Sequence, residues 1–311
     1  MTSKTDRREF LRSGLLTAAT MVGATTGLLA PRSTMAQKTP DVVVSHGTDP
    51  AKMTRSAVEA LGGMKQFVKP GQKVVIKPNM SFASGPERGA NTHPAVVREV
   101  AAMCAEAGAS RISVVDYVLN DPSACMSLSK IPEFCQDVPN TMVNHVKARR
   151  LFQEVPVKNG KELKSLEVLK EVLESDVLIA VPVGKSHSSA GISLSMKGMM
   201  GLIHNRVSFH SRYDLHTAIV DMASVLKPNL VVIDGTRILS SGGPSGPGKV
   251  IPLNLVIAST DMVAADAQMV ALGTWYDRKF TPSQVRHIRG AAERGLGRMD
   301  LDNLLIVDVK S

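Results

Sequence analysis

The sequence has few aromatic residues and few cysteines, and both shortages exclude classes of function. Aromatic residues make up 4% of the 311 residues, and no basic run is interleaved with them, so no nucleic-acid partner is predicted. The three cysteines, Cys104, Cys125 and Cys135, show no CxxC spacing. An iron–sulfur cluster held by the chain's own thiolates is therefore not expected. A disulfide between Cys125 and Cys135 is left open.

Long hydrophobic runs are also missing. The weakly apolar run 13–30 contains several threonines and glycines and is too polar for a stable membrane span. Arg7 and Arg8 precede this run, and small residues follow it around Ala36. This order favours a twin-arginine export signal, which carries folded proteins, over an ordinary secretion signal or a membrane anchor. We therefore predict that residues 1–36 engage the twin-arginine translocase and are cleaved near Ala36, which places the protein in the periplasm or otherwise outside the cytoplasm.

The remaining residues, 37–311, are enough for one large α/β domain. The formal net charge of the whole chain is +9. The leader holds more basic than acidic residues, so the charge of the domain is about +6. Such a mild positive charge suits an anionic small molecule at least as well as a polymer.

Short β-branched runs alternate with helical patterns along this domain. The runs 73–77, 111–116 and 176–183 are almost continuously apolar, as in parallel strands that are covered on both faces. The alternation of strand and helix patterns is interrupted over residues 118–175, which include a predicted hairpin with an Asn159-Gly160 turn. The predicted fold is therefore α/β: a mostly parallel sheet with helices on both faces, with an inserted cap or small lobe at 118–175.

Two helices are predicted beside the most polar part of the chain. Residues 166–174 have a short amphipathic pattern, and residues 193–203 place Met196, Met199 and Met200 at helical spacing. These methionines are best explained as the core-facing side of a helix. Methionine near histidine in an exported protein is also compatible with a copper site.

Several predicted strands end in polar residues. Ligands of open parallel sheets bind outside the carboxyl ends of the strands, so these residues predict one anion-binding rim. Its predicted members are Lys77, Asn79, Lys185, Arg237, Gly243 and Gly246. Lysine and arginine there would hold a carboxylate or a phosphate. The glycine-rich stretch 240–248 is not a P-loop, because it lacks the GxxxxGK[ST] pattern.

Histidine and lysine side chains near the same edge are candidates for proton transfer. The predicted catalytic residues are His187, Lys197 and His93. His93 has a second interpretation as a local capping partner, because Thr92 as the cap and Pro94 in the first turn form a good helix start. The sequence also leaves a transition metal open as cofactor. The candidate metal ligands are His187, Asp116, Asp234 and Asp266.

Five short motifs together resemble one protein family. They are the residues 75–79 (VIKPN), 92–94 (THP), 195–203 (SMKGMMGLI), 233–235 (IDG) with 243–248, and 259–266 (STDMVAAD). In this order they resemble the Domain of Unknown Function 362 family, over about residues 41–309. Many members of that family carry a ferredoxin-like module with two four-iron clusters, which these residues do not include. Gly198 stands where that family usually has asparagine.

A second resemblance is to the nickel-pincer lactate racemase family. Residues 187–191 (HSSAG), followed by Lys197, are similar to the His…Ala-Gly…Lys segment of that family. The resemblance implies that His187 transfers a proton or lies on the metal side. It also implies that Lys197 anchors a substrate or a cofactor.

The sequence thus predicts an exported, cofactor- or metal-dependent enzyme, or a redox accessory protein that works with a redox partner protein. Its ligand would be an anionic small molecule. The alternative is a periplasmic protein that binds a small molecule or a metal in the same cleft without chemistry.

Overall fold

The computed structural model describes residues 39–311, so the predicted export signal lies outside the described residues. The strands are β1 (Val42–His46), β2 (Lys73–Pro78), β3 (Arg111–Asp116), β4 (Thr141–His145), β5 (Phe152–Pro156), β6 (Ser165–Leu169), β7 (Val177–Val181), β8 (Val183–His187), β9 (Gly191–Ser193), β10 (Leu230–Leu239), β11 (Val250–Ser259) and β12 (Ile306–Lys310). The α-helices are α1 (Pro50–Ala60), α2 (Pro94–Glu106), α3 (Pro122–Ser129), α4 (Ile131–Cys135), α5 (Lys170–Leu173), α6 (Ser195–Gly198), α7 (Val207–Ser211), α8 (Leu215–Val225), α9 (Met262–Leu272) and α10 (Arg286–Glu293). None of the helices in this part of the chain is long and apolar enough to cross a membrane.

One large sheet runs in the order β12-β1-β11-β10-β7-β2-β3-β4, with β8 beside β10 and β9 beside β8. The prediction of a mostly parallel sheet is confirmed, because every neighbouring pair along this order that does not include β11 is parallel. Strand β11 runs antiparallel to both β1 and β10. The connection from β10 to β11 contains no helix, and so short a connection can only join antiparallel strands.

Helices cover both faces of the sheet, as predicted. Along β2, Val74 and Ile76 pack into the cluster that includes α1 and α2, whereas Val75 packs into the cluster that includes α8 and α9. Because neighbouring side chains of a strand point to opposite faces, an apolar run without alternation supplies both cores. Burial of each such side chain contributes about 1.5–3 kcal/mol.

The stretch 118–175 divides between the main sheet and a small separate sheet. Strand β4 joins the edge of the main sheet, parallel to β3. Strands β5 and β6 form the antiparallel hairpin that the Asn159-Gly160 turn predicts. The predicted helix over 166–174 was wrong at its start, where β6 continues to Leu169 before the single turn of α5. Leu166 and Val168 are buried and the polar residues Ser165 and Glu167 are less so, which is the two-residue period of a strand.

The predicted helix over 193–203 is broken into shorter pieces. Strand β9 occupies its start, α6 follows, and a 3-10 turn over Met199–Leu202 completes it. Two glycines, Gly198 and Gly201, lower the helix propensity of this segment. The methionines are buried, which fits their interpretation as core residues.

The three cysteines are buried free thiols. Burial raises the pKa of Cys104 and of Cys135, and neither is an activated nucleophile. The structure therefore does not contain the disulfide that the sequence left open for Cys125 and Cys135.

Candidate anion-binding site

A cavity of about 330 Å³ lies at the carboxyl ends of β2 and β3. Strands and helices from separate parts of the chain supply its polar wall. These polar lining residues are Lys77, Asn79, Ser81, Asp116, Lys185, His187, Ser188, Ser189, Ser193, Lys197, Arg206 and His210. Four of them are lysine or arginine, and the only acidic residue in the described lining is Asp116.

Lys77 and Asp116 form a buried ion pair at the ends of β2 and β3. Nζ of Lys77 lies 3.0 Å from Oδ1 of Asp116, and it also donates to the carbonyl of Pro78. Oδ2 of Asp116 accepts hydrogen bonds from the backbone N–H of Met80 at 2.9 Å and from Oγ of Ser81 at 2.7 Å. Burial lowers the pKa of Lys77, although the charge of Asp116 opposes this shift. The pair is thus fixed by both adjacent strand ends.

The backbone of Gly201 packs directly against this ion pair. A Cβ atom at this position would overlap Oδ1 of Asp116 and Cε of Lys77. The carbonyl of Gly201 accepts a hydrogen bond from the N–H of Tyr117 at 3.0 Å, which ties the 3-10 turn to the end of β3. Glycine is therefore required here for close approach rather than for an unusual backbone angle.

Lys185, on β8, contributes a cation without an acidic partner in the described part of the chain. Its Nζ donates to the carbonyl of Ala90 at 2.6 Å and lies 4.7 Å from the ring centroid of Phe82. A cation over an aromatic face is stabilised only modestly. Burial lowers the pKa of Lys185 to about 7, and Asp116 opposes this shift.

Lys197, on α6, has an even weaker partner. Its Nζ lies 2.9 Å from Sδ of Met200, and a thioether is a weak acceptor. Burial, with a smaller contribution from the charge of Arg206, lowers the pKa of Lys197 to about 7. Near neutral pH this amine is divided between its charged and neutral forms, which suits both anion binding and proton exchange.

The start of α6 is held by Asp266 of α9. One carboxylate oxygen of Asp266 accepts from the N–H of Ser195 at 2.9 Å and from its Oγ at 2.6 Å, and the other accepts from the N–H of Met196 at 3.0 Å. Burial raises the pKa of Asp266 to about 7 in spite of these bonds. Asp266 therefore positions the turn that carries Lys197.

Two histidine rings lie parallel beside the lysines. The rings of His187 and His210 have centroids 5.8 Å apart and an interplanar angle of 4°. Nδ1 of His187 accepts from the backbone N–H groups of Ser189 and Ala190 at 3.2 and 3.3 Å. This pattern assigns the ring proton to Nε2. Burial and the charge of Lys197 lower the pKa of His187 to about 3, so at neutral pH the ring is a neutral donor.

Arg206 and His210 belong to the site although the sequence analysis did not select them. A guanidinium nitrogen of Arg206 donates to the carbonyl of Tyr117 at 2.6 Å, and its Cζ lies 5.4 Å from the Tyr117 ring centroid. Burial lowers the pKa of Arg206. The density of basic residues over 184–216 is the signal in the sequence that could have selected both residues.

Arg237, Asp234 and His93 do not line the cavity. Arg237 donates to Asp234, and to the carbonyls of Pro86 at 2.8 Å and Asn91 at 2.7 Å. Asp234 also accepts from the N–H of His93 at 2.7 Å. His93 does take part in capping α2, but as the N-cap itself in place of Thr92, and its Nδ1 accepts from the N–H of Ala95 at 3.2 Å. These three residues fasten the start of α2 to β10.

The other predicted anion-binding residues lie partly at the cavity. Asn79 is in the wall, where its Oδ1 accepts from the N–H of Val183 at 3.1 Å. The N–H of Gly243 donates to Oγ of Ser186 at 2.9 Å, which brings the next residue, Pro244, to the cavity. Gly246 instead lines a separate surface groove.

The four candidate metal ligands are not brought together. Asp116 pairs with Lys77, Asp234 with Arg237, and Asp266 with the start of α6, while Nδ1 of His187 accepts backbone N–H groups. Within residues 39–311, no group of three or more histidine, cysteine, aspartate or glutamate side chains could hold a metal ion. This donor set does not fit a metal held by side chains of the described chain alone.

Comparisons with known proteins place this cavity in a family context. Residues 74–271 match the model of the family described as Domain of unknown function (DUF362). A thylakoid-associated protein of Synechocystis sp. is 27% identical over 219 residues, which are 68% of this chain and 66% of that protein. The lactate racemase apoprotein of Thermoanaerobacterium thermosaccharolyticum is a solved structure with 12% identity and a TM-score of 0.47, covering 74% of this chain and 57% of that one. The chain therefore spans just under two thirds of the curated relative.

Proposed function

This chain belongs to the family Domain of unknown function (DUF362), and we propose that it binds a small anionic molecule in the cavity and exchanges a proton with it. The observation that carries this proposal is the imbalance of charge in the wall. Lys77, Lys185, Lys197 and Arg206 face a space whose described lining contains one carboxylate, that of Asp116. Buried charges without partners are costly, so an anion that enters would relieve the mutual repulsion of the cations.

The individual side chains suit different roles toward such an anion. Lys185 and Arg206 are placed to bind a carboxylate or phosphate group. Neutral His187 can donate a hydrogen bond from Nε2. Lys197 has a pKa of about 7, so it can both accept and return a proton at neutral pH. His187, with a pKa of about 3, is a weaker base than Lys197, and proton exchange is therefore assigned to the lysine.

Binding can be measured by calorimetry and thermal shift with acetate and with inorganic phosphate as probes. We expect Lys185→Met to weaken binding at least about tenfold, because one charge-assisted contact contributes about 1.5–3 kcal/mol. Lys52→Met is the matched control, since Lys52 is an exposed lysine of α1 that does not line the cavity. If neither of these anions nor a longer monocarboxylate binds the wild-type protein at millimolar concentration, the proposal is wrong.

The second candidate function is a binding protein without catalysis. An experiment on Lys197, which has only a weak hydrogen-bond partner, distinguishes the two functions. For an enzyme, Lys197→Met abolishes exchange of substrate hydrogen with solvent deuterium, measured by NMR on carboxylates that bind, while part of the affinity remains. For a binding protein, the wild type shows no exchange above the rate in buffer. Elemental analysis and the absorption spectrum of protein purified after export test for a metal or another cofactor.

Export through the twin-arginine translocase is also part of the proposal, and the order of residues in the leader supports it. Fractionation of cells that express the full chain tests it. We expect the cleaved protein in the periplasm, and we expect replacement of Arg7 and Arg8 by lysine to keep the precursor in the cytoplasm. Cleaved periplasmic protein in a strain that lacks this translocase would contradict the route without affecting the anion site.

A further inference from the structure

Two large apolar side chains are exposed at the cation-lined cavity. Val207 is 78% exposed and Leu119 is 49% exposed, and both line the cavity together with the lysines. Val207 is the most exposed large hydrophobic side chain in the described part of the chain. Single exposed apolar side chains are common on protein surfaces. Two of them at one cation-lined cavity need a more specific explanation.

Hydrogen bonds anchor the chain at or next to both residues. The N–H of Leu119 donates to the carbonyl of Ser81 at 2.9 Å, in the loop that follows β2. Val207 directly follows Arg206, whose guanidinium donates to the carbonyl of Tyr117 at 2.6 Å. The two apolar residues therefore belong to the same wall that carries the charges.

Further apolar side chains lie in the cavity wall and in a neighbouring groove, whose other residues are mostly polar or small. Phe82, which lies under Lys185, and Pro244 are also part of the cavity wall. Phe82 is shared with a neighbouring groove of about 460 Å³, which is lined in addition by Leu128, another exposed apolar side chain. An inorganic anion would use only the charges and leave this surface in water.

We propose that the ligand is an amphiphilic anion, with a carboxylate or phosphate head among the lysines and an apolar chain against Leu119 and Val207. This inference rests on the proposed anion-binding function and names its ligand class. The cavity volume of about 330 Å³ is at the lower end for ligand pockets. The cavity accommodates the charged head and the first carbons of the ligand. The remaining carbons of the ligand would cover the exposed side chains of Leu119 and Val207. A soluble molecule with an apolar chain of medium length meets both requirements.

The test is calorimetry with the straight-chain monocarboxylates acetate, butanoate, hexanoate and octanoate, below their micelle concentrations. We expect the affinity to rise about twofold to fourfold per added methylene until the chain passes Val207, since a fully buried methylene contributes about fourfold. In the double variant Leu119→Ser, Val207→Ser this rise disappears, while the affinity for acetate stays within about twofold of wild type. Met142→Ser, which removes an exposed side chain of β4 outside the cavity, is the control and keeps the rise.

The outcomes separate this inference from the function on which it rests. If acetate binds and chain length has no effect, or if the double variant keeps the wild-type rise, the amphiphile inference is wrong and anion binding stands. If no carboxylate binds and inorganic phosphate also fails, the proposed function itself is wrong. Cosedimentation of the wild type, but not of the double variant, with anionic phospholipid vesicles would assign Leu119 and Val207 to a membrane surface and overturn the inference of a soluble ligand.

Discussion

Nζ of Lys77 lies 3.0 Å from Oδ1 of Asp116, and each side chain is 1% exposed. This contact uses the one carboxylate in the described cavity lining to neutralise one of its four cations. Lys185, Lys197 and Arg206 therefore have no carboxylate partner in the described lining and are available to contact a ligand. The ion pair sets the charge of the site as well as the shape of its wall.

Gly201→Ala is expected to disrupt the Lys77–Asp116 pair, because the new methyl group would overlap both side chains. We expect a loss of about 1–3 kcal/mol in unfolding free energy from overpacking and weaker binding of acetate. Gly198→Ala is the matched control in the same segment. Its added Cβ would meet only Pro182, at 3.8 Å, so stability should be unchanged or slightly higher. Equal effects of the two substitutions in chemical denaturation would contradict this account.

Lys197→Met should separate binding from stability. Methionine fills a similar volume without the buried, poorly partnered amine, so we expect the unfolding free energy at pH 7 to stay equal or to increase. Affinity for acetate should fall at least about tenfold, as expected for loss of a charge-assisted hydrogen bond. Calorimetry and urea unfolding on the same preparation check both results. A destabilised variant with full affinity would show that Lys197 is structural.

Anion affinity and stability should respond to pH in opposite directions. Lys185 and Lys197 have pKa values of about 7 in the folded protein, against a usual value of 10.5. The unfolded chain thus binds more protons above pH 7, so the unfolding free energy of the ligand-free protein rises between pH 7 and about 8.5. Anion affinity falls over the same range, by up to about tenfold per pH unit for each lysine that must be charged.

A variant with both Lys185→Met and Lys197→Met provides the control for this pH dependence. Acetate affinity should become nearly independent of pH in it, because both lysines are gone. The rise in unfolding free energy above pH 7 should also be lost, since Asp266, whose pKa is about 7, remains and contributes a fall over this range. The measurements are acetate calorimetry and urea unfolding at pH 6.5, 7.5 and 8.5. An affinity for acetate that is constant over this range in the wild type would show that neither lysine must be protonated to bind.

Arg237 should affect stability rather than binding. Arg237→Met would leave the carboxylate of Asp234, which is fully buried, without its cation. We expect a loss of about 3–5 kcal/mol in unfolding free energy, with acetate affinity within about threefold of wild type at a temperature where the variant is folded. Arg289→Met is the control, because its pair with Glu293 is exposed and contributes less than about 1 kcal/mol. If Arg237→Met lost acetate affinity without losing stability, Arg237 would be part of the anion-binding site and this account would be wrong.

The sequence predicted the parts of the fold and site that follow from periodicity and strand ends. The apolar runs of β2 and β3 required a covered parallel sheet, and their last residues, Lys77 and Asp116, meet because the ends of neighbouring parallel strands lie at one edge. Lys185 and His187 come from β8, which extends the same edge. These positions depend on local pattern and topology, both of which the sequence shows.

Other residues depend on tertiary contacts that no local pattern contains. Arg237 was expected in the rim outside the end of a strand, but β10 continues to Leu239, so Asp234 and Arg237 both lie within the strand and pair with each other. Asp266 was predicted as a candidate metal ligand. It lies within α9 and accepts hydrogen bonds from the backbone N–H groups of Ser195 and Met196. Arg206 reaches the cavity through its bond to Tyr117, 89 residues earlier in the chain.

The position of β1 has a consequence for the timing of folding. Within residues 39–311, strand β1 pairs with β11 and β12, whose residues lie more than two hundred positions further along the chain. Its partners leave the ribosome long after β1 itself, so the sheet cannot close during most of translation and contact order is high. A translocase that carries folded proteins leaves an interval between synthesis and export in which the sheet can close. A translocase that exports the unfolded chain leaves no such interval.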